Sequence, residues 1–197
     1  MRFFKKHFIL IICFYAAPIT ILSQQNDSII WSVNYKLTYT DFKKISPVNS
    51  PFRAISNLNL PFKQKIIGDT MFVFPYCYFK KSESWFKKDS VSINNNVLLL
   101  AHERGHFDLA EIEVRKLRKK LLELHLTKQN AQGLIQQYAN QSLIEEKEIQ
   151  DAYDAETNFS INKEKQKEWA LKIKQQLIEL NGYAKTVIKI PVKNLPK

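Results

Sequence analysis

The stretch Ala101-His102-Glu103-Arg104-Gly105-His106-Phe107 sits inside a run whose apolar residues, Leu98, Leu99, Leu109, Ile112, Leu117, Leu121 and Leu124, recur at helical spacing. No proline interrupts residues 76–190, so a long helix is expected here, with Asn94-Asn95-Asn96 supplying candidates for its N-cap. Two histidines four positions apart on a helix differ by about 40° around it and about 6 Å along it. Both imidazoles can then reach one cation from the same side. Neutral imidazole suits Zn²⁺, and a glutamate directly after the first histidine can lie beside a water on the metal. His102 and His106 are therefore candidate zinc ligands, and Glu103 is a candidate general base.

A third protein ligand has to come from elsewhere. His125 is 23 residues beyond His102, about 34 Å along a continuous helix, too far to share that cation. Glu111 points to the opposite side of the helix, and Asp108 also faces away. The remaining source is a carboxylate on the downstream helix, where Glu145, Glu146, Glu148, Asp151, Asp154 and Glu156 cluster.

Outward from the motif, the pattern predicts a helical back and a strand-rich front. A second helix is expected from Thr127 through Leu134, Ile135, Tyr138, Ile149 and Tyr153. A third should run from about Asn162 through Trp169, Ile173 and Leu177 to a stop at Asn181-Gly182. Ahead of them, Trp31, Val33, Tyr35 and Leu37 alternate like a half-buried strand, and Thr40-Asp41 reads as a turn or helix start. Alternation around Ala54–Leu60 and the β-branched and aromatic stretch Met71–Phe79 suggest more strands, with Pro75 at an edge or bulge. The expected fold is α+β: three or four mostly antiparallel strands packed on the HExxH helix and two further helices. The tail, 183–197, has room for one added strand.

The chain has 197 residues, 45% of them apolar and 25% charged, which fits one globular domain and excludes a disordered or polytopic membrane chain. Arg2, Lys5 and Lys6 precede the uncharged run Phe8–Leu22, and polar Ser23-Gln24-Gln25 follows. That order predicts a cleaved signal peptide, 1–23, followed by a single domain, 24–197. The apolar run would span about 22 Å as a helix, short of a roughly 30 Å hydrocarbon core. A secreted or periplasmic monomer with no stable membrane span after cleavage is expected. Cys77 is then the one cysteine left, so no internal disulfide can form. The net charge of +11 is spread along the chain with no recognition motif, which argues for a solvated basic surface and against a nucleic-acid partner.

His102-Glu103-x-Gly105-His106-Phe107-Asp108-x-Ala110-Glu111, followed by Tyr153-Asp154-Ala155-Glu156-Thr157, resembles bacterial domain-of-unknown-function family 922. Leu37-Thr38-Tyr39-Thr40-Asp41-Phe42 and Ser84-Trp85 extend the similarity over most of residues 30–170. That family is associated with zincin-like, secreted zinc-dependent proteases, so the resemblance implies a zincin-like fold, His102 and His106 as ligands and Glu103 as the catalytic residue. In the family a histidine follows the threonine by two residues, where this chain has Phe159. If that histidine is a ligand in the relatives, this chain lacks part of the cage. If it is structural, Asp154 is the natural third ligand, ahead of Glu156 or Glu148. Tyr153 is a candidate for stabilising the transition state, although a tyrosine on an apolar helix face also serves as core.

The function expected is hydrolysis of peptide bonds in a peptide or protein substrate by a zinc-activated water, with Glu103 as general base. The alternative is a non-catalytic zincin-like binding module of the cell envelope, which Phe159 favours. A di-iron site is disfavoured because Glu103-x-x-His106 has no second copy in the chain.

Overall fold

The computed structural model describes residues 27–88 and 93–193, so the expected leader, 1–23, lies outside the described residues. The fold is α+β, with short strands in front and three helices behind: α1 (Ile93–Leu122), α2 (Ala131–Thr157) and α3 (Lys163–Glu179). Among the described residues, nine strands form three small sheets. The first has the order β1 (Ser28–Ile30), β6 (Tyr78–Lys80), β3 (Leu58–Asn59), and β2 (Ala54–Ile55) pairs with β7 (Trp85–Phe86). The third has the order β4 (Phe62–Ile67), β5 (Thr70–Pro75), β9 (Ile188–Lys193), β8 (Leu126–Thr127). All pairings are antiparallel except β8 with β9. Gly68 takes the positive φ, 59°, that the two-residue turn between β4 and β5 requires. Among the described residues, no helix is long and apolar enough to cross a membrane.

The core is organised around α1. Alternate residues Met71 and Val73 of β5 and Ile188, Ile190 and Val192 of β9 pack on Leu117, Leu121 and Ile135. Leu37, Cys77 and Phe79 meet Phe107, Ala110 and Val114 of the same helix. Leu109 and Ile112 pack on Tyr153 of α2 and on Trp169 and Ile173 of α3. Strands thus cover one side of α1 and helices the other, and residues 109–115 are buried without a break. The polar residues in that interval must find partners inside the protein. Glu111 Oε1 accepts from Arg115 Nε and Arg118 Nη1, each at 2.9 Å. Arg118 also donates to the carbonyls of Pro75 and Tyr183, and Arg115 to that of Leu177. One buried ion cluster therefore ties α1 to β5 and to the end of α3.

Several sequence expectations are corrected. The alternation from Trp31 to Leu37 is not a strand: β1 ends at Ile30, and Tyr35 N donates to Ser32 O in a turn. Those residues are held singly instead, Trp31 Nε1 by Asp108 (2.8 Å) and the Leu37 carbonyl by Arg104 Nε (2.7 Å). Thr127 belongs to β8, not to the second helix, because Leu126-Thr127 pairs with Val192-Lys193. Asn94-Asn95-Asn96 lie within α1 and do not cap it. Thr40-Asp41 close a short 3-10 turn, Tyr39–Asp41, that starts one residue earlier, and Asn162 caps α3 by accepting from Lys165 N. The tail strand is present as β9, inside the third sheet.

The ion cluster gives the first prediction. Glu111→Ala leaves two buried guanidinium groups without their shared carboxylate and should cost about 3–5 kcal/mol in urea unfolding. A loss below about 1 kcal/mol would contradict the pairing as described.

Candidate metal centre

His102 and His106 stand one turn apart on α1, with their Nε2 atoms 3.0 Å from each other. Asp154 reaches in from α2, and its Oδ1 lies 2.9 Å from His102 Nε2 and 3.0 Å from His106 Nε2. These three side chains each offer one ligand atom, all within 4.8 Å of one another. Of the downstream carboxylates considered, Asp154 is the one the fold brings to the imidazoles. Glu156 instead accepts from Trp169 Nε1 (3.0 Å), Glu145 pairs with Lys120, and Glu148 is exposed. His125 is also exposed, away from the group.

The far nitrogens of both rings are held by amides. Gln150 donates through Nε2 to the His106 carbonyl (3.0 Å) and to Glu146 (2.8 Å), which turns its carbonyl oxygen toward His106 Nδ1. Gln166 donates through Nε2 to the Tyr153 hydroxyl and presents Oε1 to His102 Nδ1 at 3.1 Å. An amide oxygen only accepts, so each Nδ1 carries the proton and each neutral ring keeps its Nε2 lone pair. Two lone pairs and a carboxylate oxygen then converge with no donor among them, an arrangement that repels unless a cation lies between. Tetrahedral zinc with ligands at about 2.1 Å would space them about 3.4 Å apart, a few tenths of an ångström wider than here. The donor set, two imidazoles and a carboxylate with the second ring nitrogens anchored, fits a zinc ion.

Without a metal the same group behaves as a strained acid–base set. Burial pushes the Asp154 carboxyl up, but the two imidazoles beside it override this and hold the pKa well below the usual carboxylate range. Burial pushes His106 down, while Asp154 and Glu103 more than offset this and leave its pKa above the ordinary histidine value.

Glu103 follows His102 and is buried, with its Oε2 accepting from Ser56 Oγ at 2.6 Å. His102, Glu103, His106 and Asp154 line a cleft of about 1060 Å³, walled by β2 and its flanks, by α2, and by the turn after α2. A second cavity, about 1010 Å³, lies against the opposite side of α1, where Glu111, Arg115 and Arg118 are already partnered with each other.

Tyr153 is fully buried. Its ring stacks on His102 with centroids 4.5 Å apart and 17° between planes, and lies edge-on to Trp169. Its hydroxyl engages Gln166 and, at 3.4 Å, the His102 carbonyl. It forms the wall behind the first histidine, and a transition-state role does not fit that position. Burial raises its phenol pKa well above the usual tyrosine value. Phe159 is half-exposed on the turn after α2, its ring 5.6 Å from that of Phe52, and stands outside the ligand triad. That turn is unusual: Asn158, Phe159 and Ser160 have φ of 47°, 50° and 75°. Left-handed backbone costs roughly 1–2 kcal/mol per residue that carries a Cβ.

Four further side chains support the group. Gln150 lies one turn before Asp154, so the (i, i+4) spacing on α2 was an available signal. Thr157 donates to the Tyr153 carbonyl (2.6 Å) and lies 3.4 Å from His102 Nδ1, which gives the YDxxT pattern a physical meaning. Gln166 and Ser56 come from other elements and carry no spacing signal. Gly105 also acquires a reason: a Cβ there would fall 2.3 Å from the Tyr153 hydroxyl oxygen and 2.8 Å from ring carbon Cζ.

Residues 97–160 match the model of the family described as bacterial protein of unknown function (DUF922). The matched residues run from the first turns of α1 to the left-handed turn and contain all three triad members. No curated protein and no solved structure matches the chain.

Two predictions follow from the geometry. In Gly105→Ala, the Tyr153 ring has no retreat between His102 and Trp169, so overpacking should cost about 1–3 kcal/mol and weaken zinc binding. Full zinc affinity in that variant, read by competition with a chromogenic chelator, would contradict this packing. The second concerns pH. His106, with its raised pKa, stabilises the metal-free fold below about pH 6.5 and loses that contribution as pH rises through its folded value. Asp154, with its lowered pKa, stabilises it above about pH 4 and loses that contribution as pH falls through its folded value. Protons on the imidazoles compete with metal, so the thermal stabilisation by added zinc should be small at pH 5 and large at pH 7.5. An equal shift at both pH values would count against ligation by these groups.

Proposed function

We propose that this chain is an exported zinc-dependent peptidase with a zincin-like site. The observation that carries the reading is the convergence of His102, His106 and Asp154 beside Glu103 at the floor of an open cleft. His102, His106 and Asp154 would hold the metal and leave a further position toward the cleft. A zinc ion there supplies Lewis acidity, lowering the pKa of water toward neutrality and polarising a carbonyl. Glu103 takes a proton from the attacking water and passes it to the leaving amine. Ser56 fixes one Glu103 oxygen and leaves the other for that transfer. Tyr153 and Gln166 hold the His102 ring, and Gln150 holds that of His106.

The cleft wall supports a peptide substrate. Strand β2 uses one edge to pair with β7, and its residues line the cleft. Arg53 O accepts from Lys87 N on the β7 side, so the main-chain groups of Ala54 and Ser56 turn the other way. An extended peptide can pair there by strand addition. The alternative of a non-catalytic module rested on Phe159 taking a ligand's place. The Asp154 carboxylate among the imidazoles supports the hydrolase reading instead.

Glu103→Gln tests the proposal. The variant should keep zinc at one equivalent by elemental analysis and lose at least about 100-fold in peptide hydrolysis. Equal rates in the purified wild type and the variant would remove Glu103 from the chemistry.

A further inference from the structure

The cleft has a direction. Arg53 Nη2 donates to Asn96 near the start of α1, and Ser56 donates to Glu103 farther along it. Strand β2 therefore runs alongside α1 in the same sense, with Phe52 at the end of the cleft nearest the helix start. Phe159 approaches that end from the turn after α2 and packs on Phe52, with Pro51 and Ile161 beside them in the cleft wall. Phe52 and Phe159 are 43% and 49% exposed, so neither ring belongs to the core.

The backbone under Phe159 makes this placement informative. A large residue in the left-handed region is a strained choice, and glycine or asparagine would sit there more easily. Here the strained residue holds a half-exposed aromatic ring over the cleft. Strain retained at such a place points toward a use in recognition and away from a use in packing.

We propose that Phe52 and Phe159 form an apolar subsite that takes a large apolar side chain of an extended peptide, on the C-terminal side of the bond facing Glu103. The side follows from chain direction. A peptide pairing antiparallel to β2 runs from the Ser56 end to the Phe52 end, so residues after the scissile bond meet the aromatic pair. The inference rests on the peptidase reading for the bond and on the cleft geometry for the side chain.

The test separates the two. Zinc-loaded Glu103→Gln protein is titrated with a labelled eight-residue alanine-glycine peptide carrying one phenylalanine, and with its serine counterpart. The phenylalanine peptide should bind about 10- to 100-fold more tightly. Adding Phe159→Gly should collapse that ratio toward one. Glycine accepts positive φ without penalty, so the thermal midpoint of this variant should not fall below that of its parent. In the wild type, mass spectrometry of cleaved peptides should place the cut before the apolar residue.

A binding preference with no hydrolysis by the wild type would support the subsite and refute the peptidase. Hydrolysis without apolar preference would refute the subsite alone. Equal binding of both peptides, binding of neither, or an intact ratio in Phe159→Gly with a lowered thermal midpoint would each overturn the subsite.

Discussion

Two amide oxygens decide the chemistry of this protein. By accepting from the Nδ1 atoms of His102 and His106, Gln166 and Gln150 leave both Nε2 lone pairs directed at one point, where the Asp154 carboxylate also arrives. Had either amide been turned by its neighbours, one ring could have donated to the carboxylate and the set would be a hydrogen-bonded cluster. The amides are kept from turning by acceptors on their NH₂ sides: the His106 carbonyl and Glu146 for one, the Tyr153 hydroxyl for the other. The fitness of this group for a cation is thus set by side chains outside the group itself.

The rest of the architecture holds these few groups in register. Strands on one side of α1 and helices on the other leave the histidine helix little freedom to roll. The Glu111, Arg115 and Arg118 cluster fixes its rotation from the face opposite the histidine pair. Tyr153 joins the two sides of the problem, since it packs in the core with Ile112 and Trp169 and also stacks on a ligand ring. Gly105 is small because that stacking needs the space.

The helical spacing of His102, Glu103 and His106, and the need for a carboxylate from the next helix, could be read from the chain because helix geometry turns sequence distance into spatial distance. Asn162 was legible as a helix start for the same reason. Short strands were not: a two-residue strand such as Leu126-Thr127 exists only because Val192-Lys193 lies beside it, and no local pattern carries that information. Trp31 to Leu37 misled in the opposite sense, alternating without a partner strand. Gln166 and Ser56 reach the centre through tertiary packing alone. Phe159 was visible as a departure, but its place on the cleft rim depends on the left-handed turn, which sequence does not announce.

Strand β9 has a consequence for the order of assembly. It lies between β5 and β8, yet more than half of the described chain separates it from β5. Met71 and Val73 cannot complete their layer until Ile188, Ile190 and Val192 have arrived. Late, non-local closure of this kind slows folding. The sheet therefore closes only after the three helices between β5 and β9 have been traversed.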